Sequence, residues 1–231
     1  MSRALRANFT VALWSTTEDP ATPLPLLVVH DGRDYADYSS LLAMLQRATT
    51  DGRLPAMRAA LLTPVDRDHT YSASAAYTRA LVKEIFPVLD EHAPMPDGRR
   101  MRVGMGASLG ALALLHAHRN NPASFGGLFL QSGSYFRQRF DRHEFGFVRF
   151  QRISRFVGKV LVADEWPEPI RVAMTCGSAE ENLANNRAMR DTLVAQGYEV
   201  AFHENRDAHN WTAWRDCFDP PLVDLLAKMW Q

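Results

Sequence analysis

Gly106-Ala107-Ser108-Leu109-Gly110 follows a short apolar run at 101–105 and opens a helix-like run at 111–117. This order predicts a strand, a sharp turn and a helix. Glycines at both ends leave room for a strained backbone that would lift the serine hydroxyl above the sheet edge. The helix would point its N-terminal amides and the positive end of its dipole towards developing negative charge. The stretch is typical of a nucleophile elbow, although a glycine-rich turn with an incidental serine is the simpler alternative.

The composition limits the classes of protein to consider. The chain has 231 residues, of which 46% are hydrophobic, enough for one substantial core, and we expect a single domain over 1–231. Lysine plus arginine and aspartate plus glutamate both total 26, so net charge does not favour nucleic acid or a membrane surface as partner. Residues 1–8 lack the apolar core of a secretory signal, which predicts a cytoplasmic chain. Cys176 and Cys217 have no C-x-x-C spacing, and we expect unpaired thiols.

Short apolar runs alternate with amphipathic stretches along the chain. The predicted strands are 9–14, 26–30, 59–63, 102–106, 127–131, 170–176 and 198–203, and the predicted helices are 38–50, 73–92, 108–120, 182–196 and 213–230. This alternation predicts an α/β fold, with a mostly parallel sheet and helices on both faces. Ligands of such sheets bind beyond the carboxyl ends of the strands. The segment 135–169 interrupts the alternation, and we expect it to cross the top of the sheet as a cap.

A serine nucleophile needs a general base and an acid that orients the base. After an elbow these residues follow in the order Ser, Asp or Glu, His. His209 is the best-placed base because it lies between the last predicted strand and the last predicted helix, with His203 in reserve. Glu180 or Glu181, just after the sixth predicted strand, is the candidate acid, although an acidic pair at a helix N-terminus is a common structural feature. These residues predict a catalytic group with Ser108 as nucleophile.

An oxyanion hole would need two backbone amides beside the serine. One amide is that of Leu109, directly after the nucleophile. The other would come from the loop after the second predicted strand, where Gly32 or Arg33 is the donor.

The other histidines give no metal site. His116 and His118 lie two residues apart on a predicted helix and point to different faces, so they do not form a metal-binding pair. His30, at the end of the second predicted strand, is a candidate to line the pocket. We expect neither a metal nor another cofactor.

Motifs spread over most of the chain share one pattern. They are His30-Asp31-Gly32, Arg67 with Tyr71, Gly106-Ala107-Ser108-Leu109-Gly110, Gln131-Ser132-Gly133-Ser134-Tyr135, Gly177-x-x-Glu180, and His209 followed by Trp214-Arg215. Together they resemble the enterochelin (siderophore) esterase and esterase-D-like family of the α/β-hydrolases. The resemblance implies an α/β-hydrolase fold, with Ser108 and His209 as the catalytic pair and Glu180 as the acid. The Gln-Ser-Gly-Ser-Tyr segment favours the siderophore-esterase members.

The chain departs from this family pattern in three respects. Ala111 stands where a second glycine often follows the elbow, which is a mild packing change. Thr70 stands where a glutamate often precedes the tyrosine, so any substrate contact made by that glutamate is missing. The motifs include no counterpart of the N-terminal β-sandwich domain of the longer enterochelin esterases, and we expect the pocket to lack that wall.

Basic and aromatic residues are interleaved in the expected cap. The basic residues are Arg137, Arg139, Arg142, Arg149, Arg152, Arg155 and Lys159, set among six phenylalanines and against Asp141 and Glu144. An anionic aromatic ester, such as a ferric catecholate lactone, would suit guanidinium groups and rings together. An amphipathic helix with buried phenylalanines and solvated arginines is the alternative. The predicted substrate-binding residues are Arg33, Arg67, Arg137, Arg139, Tyr135 and Trp214.

These observations predict a serine esterase acting on a small-molecule ester. Its substrate would be a siderophore lactone such as an enterobactin-like trilactone or its ferric complex, without a nucleic-acid or membrane partner. A general carboxylesterase or an acyltransferase is the alternative within the same class. A hydrolase-fold binding protein without turnover is the alternative outside it. The oligomeric state stays open.

Overall fold

A computed structural model describes every residue from Met1 to Gln231. The strands are β1 Thr10–Ser15, β2 Leu26–His30, β3 Arg58–Thr63, β4 Arg102–Ala107, β5 Gly127–Gln131, β6 Arg171–Gly177 and β7 Glu199–Asn205. They form one sheet in the order β1-β3-β2-β4-β5-β6-β7. β1 is antiparallel to β3, and all other neighbours are parallel. All seven predicted strands and the mostly parallel sheet are therefore confirmed, with ends that differ by at most two residues.

Ten α-helices surround the sheet. They are α1 Gly32–Ser39, α2 Leu41–Thr50, α3 Arg67–Tyr71, α4 Ala75–Ala80, α5 Phe86–His92, α6 Leu109–Asn120, α7 Phe150–Leu161, α8 Leu183–Ala195, α9 Trp211–Asp216 and α10 Val223–Trp230. The π-helical turn Leu81–Ile85 joins α4 to α5, so the predicted helix 73–92 is nearly continuous. None of the helices has both the length and the apolar character needed to cross a lipid bilayer.

Two of the predicted helices are interrupted. The prediction 38–50 is broken at Ser40, whose φ of 54° is left-handed and separates α1 from α2. The prediction 213–230 is broken before Pro220, where Asp219 is extended because a residue before proline is disfavoured in the helical region. Apolar periodicity continued across both breaks, so it did not reveal them.

The sheet separates two hydrophobic cores. Side chains of a strand alternate between its two faces, so Leu26 and Val28 of β2 belong to one cluster and Leu27 and Val29 to the other. The first cluster is covered by α4 to α8, and the second by α1, α2, α9 and α10. Every residue of β2 is buried, as expected for a parallel strand between two helical layers. The free cysteines Cys176 and Cys217 are both buried.

The segment 135–169 forms only in part the cap that the sequence predicts. Its first half reaches the carboxyl edge of the sheet, where Phe136 and Phe147 line a cavity. Its second half is α7, which packs Phe150 and Val157 into the first core. The guanidinium of Arg152 donates to backbone carbonyls at the C-terminal end of α3. At least this arginine therefore anchors α7 to the body of the protein.

His30 does not line a pocket, contrary to the prediction, because its ring is fully buried. Its Nδ1 lies 3.0 Å from the carbonyl oxygen of Gly110, which can only accept, so Nδ1 carries the proton. Its Nε2, 2.7 Å from the Tyr77 hydroxyl, therefore accepts. The ring also stacks on Tyr71, with centroids 4.5 Å apart. His30 thus ties β2 to the first turn of α6.

Three buried histidines should make stability depend on pH. Burial lowers the pKa of His30 and His118 to about 3 and that of His116 to about 4. In the unfolded chain these rings bind protons below pH 6.5, whereas the folded protein keeps them neutral. The unfolded state then gains protons and stability is lost as pH falls from 6.5 towards 4. Each histidine contributes a loss of about 1.4 kcal/mol per pH unit at most.

Urea denaturation at several pH values within this window would measure that loss. His116→Gln should reduce the slope of unfolding free energy against pH, because one of the three rings no longer titrates in the unfolded state. A variant with the same change at the exposed His203 would be measured alongside it for comparison. A free energy of unfolding that stays flat below pH 6.5 would contradict the prediction.

Candidate active site

β4 and α6 meet in a tight turn at Ser108. Its φ of 56° and ψ of −119° are strained for a residue with a side chain. A Cβ atom on Gly106 would lie 2.9 Å from the carbonyl carbon of Gly110, and one on Gly110 would lie 3.2 Å from Cβ of His30. Glycine at both positions therefore lets strand and helix approach closely. The predicted strand, turn and helix around Ser108 are confirmed.

His209 and Glu180 form a hydrogen-bonded pair. The imidazole Nδ1 of His209 lies 2.7 Å from the carboxylate Oε2 of Glu180, whose side chain is only 1% exposed. The Glu180 Oε1 atom accepts from the Gly177 amide and the Ser132 hydroxyl, each at 2.7 Å. Burial acts to raise the pKa of Glu180, but its hydrogen bonds from His209, Ser132 and Gly177 hold that pKa below the usual value. The carboxylate is therefore ionised at neutral pH.

Glu181 is placed quite differently. Its side chain is 85% exposed and lies 3.5 Å from Nε2 of His143. The helix α8 begins at Leu183, so neither glutamate lies within its first turn. Of the two candidate acids, the structure brings only Glu180 to His209.

Ser108 and His209 face the same cavity of about 600 Å³ at the carboxyl edge of the sheet. The Ser108 Oγ atom lies 3.0 Å from Oγ of Ser134, which is a buried residue. No hydrogen bond joins Ser108 to His209, so the serine hydroxyl is partnered by Ser134 instead.

The cavity is lined by more negative than positive side chains. Its carboxylates are Asp68, Glu144, Glu180 and Glu181, and Arg67 is the only arginine or lysine. The Arg67 guanidinium donates from Nε and Nη2 to the buried carboxylate of Asp31, with a shortest distance of 2.8 Å. That ion pair neutralises much of the Arg67 charge.

Of the six predicted substrate-binding residues, only Arg67 lines the cavity. Tyr135 is fully buried, because Gly133 lets its ring fold back against the chain. Trp214 is buried behind His209, with ring centroids 5.0 Å apart. Arg33 is exposed and pairs with the carboxylate one helical turn later.

The two remaining arginines also lie outside the cavity lining. Arg137 donates from Nε to Oδ1 of Asn185, 2.5 Å away, and stacks on the ring of Phe140. Arg139 is exposed. None of the basic residues of the segment 135–169 therefore lines the cavity, and Arg152, Arg155 and Lys159 lie at a separate pocket beside His116.

The predicted oxyanion donors occupy the N-termini of two helices. Leu109 is the first residue of α6 and lines the cavity, and Gly32 is the first residue of α1 but does not line it. First-turn amides have no partner within their own helix. The adjoining Asp31 carboxylate lies 3.4 Å from where a Cβ of Gly110 would be, so the two helix starts are neighbours.

Sequence reasoning assigned no role to Ser132 and Ser134. Ser132 binds the acid Glu180, and Ser134 binds the hydroxyl of Ser108. Both serines lie within three residues of the end of β5, at the sheet edge where ligands are expected. That position was the available signal, but the partners lie 26 and 48 residues away in the chain.

The chain is similar in sequence to a known protein family and to characterised relatives. The Putative esterase family matches residues 2–225 of the chain. The iron(III) enterobactin esterase of Dickeya dadantii (strain 3937) is 28% identical over 209 residues, which cover 86% of this chain and 47% of that relative. The iron(III) enterobactin esterase of Escherichia coli (strain K12) is 26% identical over 228 residues, which cover 97% and 55%. The chain thus spans about half the length of these curated relatives.

Solved structures share the architecture. The enterobactin esterase of Shigella flexneri, crystallised in the presence of enterobactin, has a TM-score of 0.81 at 24% identity, covering 100% of this chain and 57% of its own. A ferulic acid esterase has a TM-score of 0.76 at 14% identity, covering 96% and 98%. These likenesses confirm the predicted α/β-hydrolase fold. Because the family match extends over most of its residues, the chain belongs to the Putative esterase family.

Proposed function

We propose that this protein is a serine esterase that hydrolyses carboxylic ester or lactone bonds with Ser108, His209 and Glu180. One observation carries the proposal. The 2.7 Å pair between His209 and Glu180 lies in the same cavity as the elbow serine. The residue types and their order along the chain match the requirements of a nucleophile, a base and an orienting acid.

The reaction would proceed in two halves. His209 Nε2 takes the proton of Ser108 as the serine oxygen attacks the ester carbonyl carbon, and the tetrahedral intermediate collapses when the alkoxide leaves with that proton. Water then attacks the acyl-enzyme, gives a proton to His209, and releases the acid while Ser108 regains its proton. Before the first step the Ser108 hydroxyl must turn from Ser134 towards His209, a rearrangement consistent with the looser hydrogen bonds of unliganded sites.

Backbone amides would stabilise the negative oxygen of the intermediate. The amide of Leu109 is the first donor, and the start of α1 at Gly32 or Arg33 supplies the second. Both would act with the positive ends of the helix dipoles behind them. No metal or cofactor takes part in this scheme.

A siderophore lactone is the substrate that the relatives support. Two curated relatives are iron(III) enterobactin esterases, and their names suggest an enterobactin-like trilactone or its ferric complex for this chain as well. Aromatic Phe136 and Phe147 line the cavity and would contact catechol rings. Arg67, the only arginine or lysine of the lining, would meet the part of the negative charge of a ferric catecholate that its ion pair with Asp31 leaves available.

A general carboxylesterase is the second candidate, and the charge of the cavity favours it. Four carboxylates against one arginine disfavour a strongly anionic substrate close to Ser108. A neutral short-chain ester would meet no such repulsion.

Rates of hydrolysis separate these candidates. The purified protein would be incubated separately with enterobactin, its ferric complex and a neutral nitrophenyl ester. The masses of the products would be determined by mass spectrometry. A gain of one water per opened ester, with the higher kcat/KM for the trilactone, supports the siderophore assignment. Turnover of the nitrophenyl ester alone supports the general carboxylesterase. Transfer of the acyl group to an added alcohol would instead indicate an acyltransferase.

Two carboxylates of the cavity lining give a further test of the siderophore assignment. Glu144 and Glu181 line the cavity but do not contact His209. Replacing both by Gln should raise kcat/KM for the ferric trilactone at low salt by about fivefold, since exposed charges contribute up to about 1 kcal/mol. The gain should vanish at high salt because of screening. The neutral ester should be unaffected, and an equal gain for both substrates would contradict an electrostatic origin.

A further inference from the structure

The hydroxyl of Ser132 connects the candidate acid to helix α9. Its oxygen lies 2.7 Å from Oε1 of Glu180 and 2.9 Å from the indole Nε1 of Trp214. The Trp214 ring also packs edge-to-face against His209. A chain of hydrogen bonds therefore runs from Trp214 through Ser132 and Glu180 to His209.

The direction of each hydrogen bond in this chain follows from the chemistry of its members. An indole N–H only donates, so the Ser132 oxygen accepts from Trp214. An ionised carboxylate only accepts, so the single Ser132 proton must point to Glu180. Oε1 then accepts two hydrogen bonds, from the Ser132 hydroxyl and the Gly177 amide, and Oε2 is left to accept from His209. The imidazole proton is thereby fixed on Nδ1, which leaves Nε2 as the basic atom.

Ser132 is itself held rigidly. Its φ of 48° places it in the left-handed region, a conformation that costs energy for a serine. Its amide donates to the carbonyl of Thr175 at 2.7 Å, and its carbonyl accepts from Asn182 at 3.0 Å. The residue is fully buried. Such strain persists only where surrounding contacts fix the residue, and it is concentrated at functional sites.

The backbone of Trp214 is anchored to the same strand end. Its carbonyl accepts from Nε2 of Gln131, 3.0 Å away, and Oε1 of Gln131 accepts from the Tyr35 hydroxyl at 2.8 Å. The end of β5 therefore fixes both Ser132 and its donor. Neither Ser132 nor Trp214 lines the cavity, so neither would touch substrate.

We propose that Ser132 and Trp214 are positioning residues that orient the Glu180 carboxylate and hold His209 in the tautomer required of the base. The inference rests on the proposed function and adds to it a role for two residues outside the triad. Loss of the Ser132 hydroxyl would free Oε1 to turn away from Gly177, and loss of the indole N–H would let the hydroxyl rotate. Burial acts to raise the pKa of Glu180, and the hydrogen bonds that its carboxylate accepts from His209 and Ser132 lower it, so loss of the Ser132 bond would raise that pKa.

The test compares Ser132→Ala, Trp214→Phe and the double variant on a neutral short-chain ester. Ser132→Ala should lower kcat about tenfold with KM unchanged, since a hydrogen bond to a charged group is among the stronger ones. Trp214→Phe, which keeps an aromatic ring but removes the indole N–H, should show a smaller loss. The double variant should be no worse than Ser132→Ala alone, because both changes break one chain of bonds. The acidic limb of kcat/KM against pH should move to higher pH in Ser132→Ala.

Trp211→Phe is the matched control. Trp211 lies on the same helix and packs against Trp214 with centroids 4.8 Å apart, but its indole makes no hydrogen bond to the acid. Its activity and pH profile should match those of the unmodified protein. Circular dichroism and a urea midpoint would show whether each variant folds. If Ser132→Ala does not fold, the comparison of Trp214→Phe with Trp211→Phe tests the inference.

Three results would overturn the inference. They are an unshifted pH profile in Ser132→Ala, equal effects of Trp211→Phe and Trp214→Phe, or losses that multiply in the double variant. A failure of the proposed function looks different, because Ser108→Ala would then keep its activity. Inactive Ser108→Ala together with unaltered Ser132→Ala refutes the positioning role alone.

Discussion

Ser108→Ala should lower kcat for any ester substrate by about four orders of magnitude or more, because the members of a triad act as a unit. The fold should be retained, since alanine occupies the same backbone conformation and only the 3.0 Å contact with Ser134 is lost. Steady-state kinetics with a neutral ester measure the loss, and a urea midpoint measures the stability. A fluorophosphonate should label the unmodified protein at Ser108.

Ser134→Ala is the matched control for this experiment. It removes the hydroxyl beside Ser108 and leaves the nucleophile in place. That variant should still be labelled at Ser108, whereas Ser108→Ala should not be labelled at all. Labelling at a different serine would refute the assignment of the nucleophile.

Glu180→Gln should lower kcat by about two to four orders of magnitude, a smaller effect than that of Ser108→Ala. The loss is expected because His209 would adopt the tautomer that cannot act as the base. The position now held by Oε1 faces two donors, the Gly177 amide and the Ser132 hydroxyl. The oxygen of a glutamine would stay there, and its NH₂ group would face His209. The Nδ1 atom of His209 would then have to accept, so the proton would move to Nε2 and the base would be lost.

Glu181→Gln is the matched control for the acid. Its side chain lies in solvent, 3.5 Å from His143, and makes no contact with His209. Activity on a neutral ester should change little. Equal losses in the two variants, or a larger loss at Glu181, would reverse the assignment.

Local patterns were enough to locate the sheet and the elbow. Buried strands such as β2 and β5 consist of short continuous apolar runs. The elbow needs glycines at 106 and 110 on either side of Ser108, and all three residues lie within five positions of the sequence. His209 and Glu180 could be proposed because both follow strands of a parallel sheet, and such strands end at one edge.

Side-chain direction was beyond the reach of these patterns. The basic and aromatic segment suggested a charged cap over the serine, but α7 packs into the first core and Arg152 binds backbone carbonyls of α3. Tyr135 and Trp214 likewise face inwards. Composition fixes how much charge a segment carries, whereas packing decides where that charge points.

The sequence by itself determined the α/β architecture, the mostly parallel direction of the strands, the elbow at Ser108 and the candidate base His209. These features depend on local periodicity, on glycine's small size and on the shared direction of parallel strands. The residue pattern left Glu180 and Glu181 open and only the family resemblance favoured Glu180, whereas the tertiary structure brings Glu180 alone to His209. Only the tertiary structure joined Ser132 and Trp214 to that carboxylate. Glu180 and Glu181 are neighbours in the chain, yet one is buried against His209 and the other is exposed. Hydrogen bonds between residues far apart in sequence are set by how helices and strand ends pack together, which no local pattern records.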